Sequence, residues 1–198
     1  MFSLNVPLPP AVSRLASGLR PGLTGFDRVR ERHTLVCKRF GVDDVRDGNG
    51  GTPPARTDAL DRLRTDLRRP LAGTTPFEVA VTGVDAFESP SAGSAPVVYL
   101  AVESDGLVRL HRRLCAVFGA VEGIEGDDYV PHVTLARGRS GGQTEGDGEG
   151  DQESVDGALD RLRGVAVEPV RWRVHALDCY DSAAREVAAT VGLSELPD

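Results

Sequence analysis

Lysine is nearly absent from this sequence, because Lys38 is the only one and every other basic side chain is arginine. An acidic chain with so little lysine is typical of proteins adapted to high salt, so we expect a halophilic protein; the alternative is a high-GC coding bias, which also replaces lysine by arginine. At about 1 M salt the Debye length falls to ~3 Å, which weakens long-range attraction of RNA. The formal net charge of −7 also argues against a general nucleic-acid binder. Recognition of an anion would then depend on short, bidentate hydrogen bonds from arginine.

Cysteine is scarce, and long apolar runs are missing. The three cysteines have neither the number nor the spacing of a disulfide framework or a zinc site, which fits a reducing cytoplasm. No apolar run approaches the roughly 20 residues that cross a bilayer, and the N-terminus has no signal-peptide pattern. We therefore expect a cytoplasmic protein without a membrane-spanning segment.

The patterning of apolar residues predicts a single two-lobed domain over residues 1–198 with an α+β fold. Gly138 to Gly157, rich in Gly, Glu and Asp, is expected to be a mobile acidic surface loop. The predicted strands cover about 2–6, 33–40, 77–84, 96–103, 129–137, 165–177 with an interruption at Pro169, and 186–191. The predicted helices cover about 11–19, 57–71, 105–118 and 155–162.

The segment Tyr129–Arg137 alternates as a strand and carries the first candidate site. His132 and Thr134 lie two residues apart, so they project from the same face. An imidazole and a hydroxyl on one face suit proton transfer and the binding of a phosphate oxygen. A lone histidine on a strand is more often structural. However, the segment Arg32–Phe40 also reads as a strand and holds a similar sequence, His33-Thr34-Leu35. Two such strands suggest two histidines that face each other across a groove.

These motifs, in their order along nearly the whole chain, resemble the two-histidine (2H) phosphoesterase superfamily, specifically RNA 2′,3′-cyclic phosphodiesterase, also called 2′-5′ RNA ligase. The resemblance implies a bilobal, pseudo-two-fold fold in which two antiparallel sheets form a central groove, with helices outside. The family pattern is His-x-Thr, whereas this chain has His33-Thr34-Leu35. Either a bulge re-aims Thr34, or Lys38 or a backbone N–H replaces the missing hydroxyl.

The resemblance implies hydrolysis of RNA or nucleoside 2′,3′-cyclic phosphate ends to the 2′-phosphate, with 2′-5′ ligation as the reverse reaction. His33 would be the general acid and His132 the general base, and no metal or other cofactor is required. Four further residues are predicted to bind the substrate: Thr134, Thr34, Arg137 and Lys38. The implied partner is RNA with a cyclic phosphate end, and we expect a monomer.

Other functions remain open from the sequence. The chain is alternatively an RNA-end binding module of the same fold with little turnover, or a 2H enzyme for another cyclic phosphate. A metal-dependent phosphatase using the four histidines is disfavoured, because no His-x-His or His-Asp cluster is present. His111, on the apolar stripe of its helix, and His175 are expected to be structural.

Overall fold

The computed structural model describes residues 2–41, 56–139 and 155–193, and its elements follow the predicted series. The helices in these ranges are α1 (Pro10–Leu19), α2 (Arg56–Leu71), α3 (Asp105–Phe118) and α4 (Val155–Arg163). The strands are β1 (Phe2–Val6), β2 (Arg28–Val29), β3 (Leu35–Phe40), β4 (Phe77–Phe87), β5 (Val97–Glu103), β6 (His132–Arg137), β7 (Val170–Val174), β8 (Ala176–Asp181) and β9 (Glu186–Gly192). The predicted α+β fold is confirmed.

The strands form one antiparallel sheet with the order β7-β4-β5-β6-β3-β1-β8-β9, and β2 also pairs with β6. Four strands therefore lie on each side of the β6–β3 contact, as the predicted pseudo-two-fold arrangement requires. The two halves meet through a single residue pair, Leu35 with Val133, so the two predicted sheets are continuous. Both residues are fully buried.

Helix α3 shows how local sequence and packing agree. The Ser104 hydroxyl accepts a hydrogen bond from the Leu107 backbone N–H at 3.2 Å and so caps the helix at its predicted start. Leu107, Leu110 and Leu114 recur at helical spacing and are fully buried. This stripe packs α3 against β3 and β4, and so holds one motif strand in place.

The strand predicted over residues 165–177 is interrupted at Pro169 as expected, but the part after Pro169 is two strands and not one. The chain forms β7 and then β8 in its place, with His175 between them, and the two strands lie in opposite halves of the sheet. β7 begins directly after Pro169, since proline cannot donate a ladder hydrogen bond. The His175 carbonyl accepts a hydrogen bond from the Leu193 N–H at 2.8 Å, which fixes the crossing.

The predicted acidic loop Gly138 to Gly157 falls mostly outside the described residues, which leave out 42–55 and 140–154. Residues 155–157, which the sequence placed in the acidic loop, form the first turn of α4. Asp156 lies in that turn, where its charge favours the helix N-terminus. In the described parts of the chain, no helix is long and apolar enough to cross a membrane.

Candidate active site

A cavity of about 830 Å³ opens where the two halves of the sheet meet. Its walls come from β3 and β6, the loop between β4 and β5, the segment before β6, and the hairpin between β8 and β9. Four of the six predicted site residues line it: His132, Thr134, Thr34 and Arg137. The two others, His33 and Lys38, are not among the lining residues.

His132 stands at the start of β6 with its ring orientation fixed. Its Nδ1–H donates to the Val130 carbonyl at 2.7 Å, which leaves Nε2 as the proton-accepting nitrogen of the neutral ring. The rings of Phe87 and Tyr99 pack against the imidazole at centroid distances of 5.2 and 5.3 Å. Burial lowers the pKa of His132, the Val130 carbonyl raises it, and Arg39 and Arg137 lower it further. The net effect keeps the ring neutral, as a general base requires.

A one-residue bulge in β6 adds Arg137 to the same wall. Thr134 pairs with Tyr99 and Ala136 pairs with Val98, so Leu135 is the extra residue. The bulge reverses the alternation after Thr134, and Arg137 therefore joins His132 and Thr134 in the cavity. Without it, residue 137 would face the core with Leu135.

Arg137 is only partly satisfied by the protein. One terminal nitrogen donates to the Ala92 carbonyl at 3.2 Å, while the buried Nε has no partner among the described residues. Gly93 allows this approach, because it has a φ of +85° and a Cβ there would lie 3.2 Å from the guanidinium. Burial, and then Arg30 and Arg39, lower the pKa of Arg137. An anion in the cavity would offset the repulsion between Arg137 and the other two arginines, and it would accept a hydrogen bond from the buried Nε.

The cavity is cationic although the chain is acidic. Five arginines line it, and Asp128 is the only acidic residue among its described lining residues. The arginines are Arg30, Arg32, Arg39, Arg137 and Arg185. In a chain of net charge −7, such a local excess indicates a site for an anion.

Between β2 and β3, the chain leaves its ladder with β6 and returns to it in a different register. Arg28 pairs with Arg137, and the Arg30 N–H donates to the Leu135 carbonyl at 2.7 Å, but the next pair is Leu35 with Val133. Residues 31–34, four in all, therefore lie opposite the single residue Thr134. Thr34 lines the cavity with Arg32 and Val36, at the two-residue spacing of an extended chain, and not together with His33 as a re-aimed Thr34 would.

His33, in contrast, is not among the cavity residues. Arg32, Thr34 and Val36 line the cavity, at the two-residue spacing that leaves His33 and Leu35 out of the lining. His33 is half-buried elsewhere, and burial lowers its pKa. An alignment of the two motifs on their histidines places His33 in the position of His132. An alignment on the Thr-Leu pairs, at 34–35 and 134–135, instead places Arg32 in the position that corresponds to His132.

Lys38 also requires a correction, because it lies in the core and not at the cavity. Its side chain is 1% exposed, and its ammonium contacts the Glu125 carboxylate at 2.7 Å. Glu125 also accepts the backbone N–H groups of Arg39 at 2.8 Å and Val121 at 3.1 Å. Burial opposes ionisation, but the bonds from Lys38 and the backbone hold the pKa of Glu125 below its usual range. Lys38 thus ties β3 to the segment before β6.

His111 is confirmed as a packing residue. It is fully buried, its Nδ1–H donates to the Cys37 carbonyl at 2.7 Å, and its Nε2 accepts the Gly126 N–H at 2.8 Å. The Tyr129 ring stacks on it at 3.7 Å, and the Tyr129 hydroxyl donates to the Val36 carbonyl at 2.8 Å. This network supports the cavity wall that Tyr129 forms.

Arg185 is a cavity residue that sequence reasoning missed. It lies in the hairpin between β8 and β9 with a φ of +60°, a left-handed conformation that no other non-glycine residue in the described ranges adopts. Asp181 forms the turn by accepting the N–H groups of Ala183 at 2.8 Å and Ala184 at 3.3 Å. No sequence pattern near residue 185 indicates this role, since the topology alone brings the hairpin to the cavity.

The family assignment agrees with this geometry. A family model described as "2′-5′ RNA ligase superfamily" matches residues 51–186, more than half of the 198 residues. The chain belongs to the 2′-5′ RNA ligase superfamily. The matched span includes His132 and Thr134, but it begins after the first motif strand. Membership supports a phosphoesterase or ligase activity, and it confirms the resemblance seen in the sequence.

A solved structure shows the same fold. The crystal structure of the protein TT0787 of Thermus thermophilus matches with a TM-score of 0.58 and 19% sequence identity, covering 97% of each chain. At this identity the likeness supports the fold alone. No curated protein gave a significant match.

Proposed function

We propose that this member of the 2′-5′ RNA ligase superfamily hydrolyses 2′,3′-cyclic phosphate ends of RNA or nucleosides to the 2′-phosphate. One observation carries the proposal: a histidine with a fixed tautomer, His132, faces a cavity with five arginines and two threonines. Such a cavity combines a proton acceptor with donors for phosphate oxygens.

In this proposal Nε2 of His132 accepts the proton of the attacking water. Negative charge then grows on the non-bridging phosphate oxygens, which Thr34, Thr134 and Arg137 are placed to bind. If a 5′-hydroxyl RNA end attacks the cyclic phosphate in place of water, the same groups give a 2′-5′ linkage. Hydrolysis dominates in water because the competing hydroxyl is dilute.

Arginine suits this task better than lysine. A guanidinium presents a planar fork of donors that matches two phosphate oxygens, and it keeps its charge at every working pH. Short hydrogen bonds also survive at salt concentrations that screen long-range attraction. The cavity can therefore bind an RNA end although the whole chain is acidic.

The first experiment measures turnover of adenosine 2′,3′-cyclic phosphate by wild type and His132→Ala, in high salt with EDTA, and identifies the product isomer. Conversion to the 2′-phosphate by wild type alone supports the proposal. Formation of the 3′-phosphate would overturn the regiochemistry, and equal rates for both proteins would overturn the role of His132. Loss of activity with EDTA would point to a metal-dependent reaction.

A second candidate function is an RNA-end binding module with little turnover. The observation that favours it is the absence of His33 from the cavity lining, which leaves His132 as the one histidine among the described lining residues. Calorimetric binding of adenosine 2′-monophosphate by a wild type that does not turn over the cyclic phosphate would select this function.

A further inference from the structure

The two halves of the cavity carry different residues at corresponding places. His132 comes two residues before Thr134, and Arg32 comes two residues before Thr34. Leu35 pairs with Val133 on the neighbouring strand, and the threonines next to this pair, Thr34 and Thr134, both line the cavity. Arg32 and His132 both line the cavity, whereas His33 does not.

We propose that Arg32 replaces the second acid–base group of the site, so that the protein works with one histidine and one permanent cation. This inference rests on the proposed function, and it assigns the leaving-group side of the cavity to Arg32. It differs from the role that the resemblance implied for His33.

Two contacts hold the Arg32 guanidinium at the cavity wall. It donates to the Arg185 carbonyl, and it lies over the Tyr180 ring at 5.0 Å from the centroid. Both partners are themselves cavity residues from β8 and the hairpin that follows it. The left-handed backbone of Arg185 is a strained conformation for a residue with a side chain, and such strain is commonly kept at functional sites. The hairpin therefore positions Arg32 in advance of binding.

The chemistry of the replacement follows from the guanidinium. Neutral His132 takes a proton from water, the water oxygen forms a bond to phosphorus, and the bond from phosphorus to the 3′ oxygen breaks. Arg32 stabilises the leaving oxygen by a hydrogen bond but keeps its own proton, because a guanidinium is not a useful acid in this pH range. The leaving oxygen takes its proton from solvent water, and the His132 imidazolium returns its proton to solvent.

A single histidine predicts a distinctive pH profile. The rate constant kcat/KM should rise through the ionisation of His132 and then stay level, without the descending limb of a protonated histidine acid. Burial and neighbouring arginines lower the pKa of His132, so the rise should lie below pH 6.5. The charged or titratable groups around His132 are Arg30, Arg32, Arg39, Arg137, Arg185, Asp128, Tyr129 and Tyr180 from the cavity and Tyr99 behind the ring.

The test compares the pH profiles of wild type, Arg32→His, Arg32→Lys and His33→Ala on adenosine 2′,3′-cyclic phosphate. Wild type and His33→Ala should give the same one-limbed profile. Arg32→His should introduce a descending limb and raise kcat/KM about 10-fold or more below pH 7, since it supplies the missing acid. Arg32→Lys keeps the charge and should stay one-limbed with a higher KM. A bell-shaped wild-type profile that His33→Ala abolishes would overturn the inference, as would a one-limbed Arg32→His.

A binding measurement tests Arg32 even if the protein does not hydrolyse the cyclic phosphate. If no variant turns over the cyclic phosphate, calorimetric binding of adenosine 2′-monophosphate tests whether Arg32 binds the phosphate group. A loss of about 10-fold or more in affinity for Arg32→Ala, with unchanged affinity for His33→Ala, retains Arg32 as the phosphate-binding group. Equal affinities for the two variants would overturn it.

Discussion

The two strands at the centre of the sheet reach the cavity in different ways. In β6 a one-residue bulge at Leu135 keeps His132 and Thr134 on the cavity side and adds Arg137. In the first motif strand, Arg32, Thr34 and Val36 line the cavity at two-residue spacing, and His33 is not among the lining residues. Each half of the sheet has four strands in the main order, but the two halves present different side chains to the cavity.

The basic side chains of the two strands, Lys38 and Arg137, also have different roles. Lys38 in β3 is 1% exposed and paired with Glu125, so its charge serves the fold. Arg137 in β6 lines the cavity with an unpartnered Nε among the described residues, so its charge is available to a ligand. Sequence position near a motif therefore does not show whether a cation acts on substrate.

The comparison of the two histidines gives the largest expected effect. His132→Ala should lower kcat/KM for a nucleoside 2′,3′-cyclic phosphate by about 10²–10⁴-fold, the usual contribution of a general base. His33→Ala should stay within about two-fold of wild type, because His33 does not line the cavity. Circular dichroism of both variants checks that they are folded. Comparable losses in the two variants would contradict the asymmetry.

The buried ion pair gives the next largest effect. Glu125→Ala leaves the Lys38 ammonium buried without its partner, which should lower the free energy of unfolding by about 3–5 kcal/mol. Urea denaturation measures the change. Glu122→Ala, three residues away and exposed, is the matched control and should change it by less than about 0.5 kcal/mol. A small loss for Glu125→Ala would mean that Lys38 reaches solvent and is available to a ligand.

Arg137→Ala should mainly affect binding of the substrate. Loss of a hydrogen bond to a charged phosphate is expected to raise KM, or the Kd for adenosine 2′-monophosphate, by about 10–100-fold. Arg139→Ala is the control, since Arg139 is exposed and pairs with Asp156 at 2.8 Å on the surface. If the two variants have equal affinities, the cavity arginines do not hold the phosphate.

The smallest effect concerns stability and pH. Burial lowers the pKa of His33, His111 and His132, so below about pH 6.5 the unfolded chain binds protons that the folded chain does not. Stability should therefore fall as the pH is lowered from 6.5 through the folded-state pKa values, and the lowered pKa of Glu125 adds to the loss in more acid solution. Tm measured at pH 8, 6 and 5 in constant salt checks the sign. A Tm that rises toward pH 5 would contradict it.

Most of the fold could be predicted because its elements have strong local patterns. α3 begins and ends where its cap and leucine stripe predict, β5 matches its nearly all-apolar run, and β6 matches its alternation within a few residues. The division of 165–177 into β7 and β8 was missed, because the two strands are separated by a single residue and their different partners are a tertiary property. Extended apolar segments look alike whichever neighbour they pair with.

Four of the six predicted site residues line the cavity, and the alternation of β6 accounts for His132 and Thr134, whereas Arg137 reaches it through the bulge at Leu135. His132, Thr134 and Arg137 follow the family pattern and line the cavity. The change of register before β3 has no sequence signature of its own, although the matching Thr-Leu pairs at 34–35 and 134–135 would have pointed to Arg32. Burial of Lys38 depends on Glu125, which lies 87 residues away, and local sequence does not reveal such a partner.

The most direct test of this account is ¹H–¹⁵N NMR of the four histidine rings during titration with adenosine 2′-monophosphate. The ¹⁵N chemical shifts of the His132 ring should change strongly, because phosphate approaches Nε2 within the cavity. The rings of His33, His111 and His175 should change little. Equal, saturable changes at His33 and His132 would contradict the account and restore a site with two histidines.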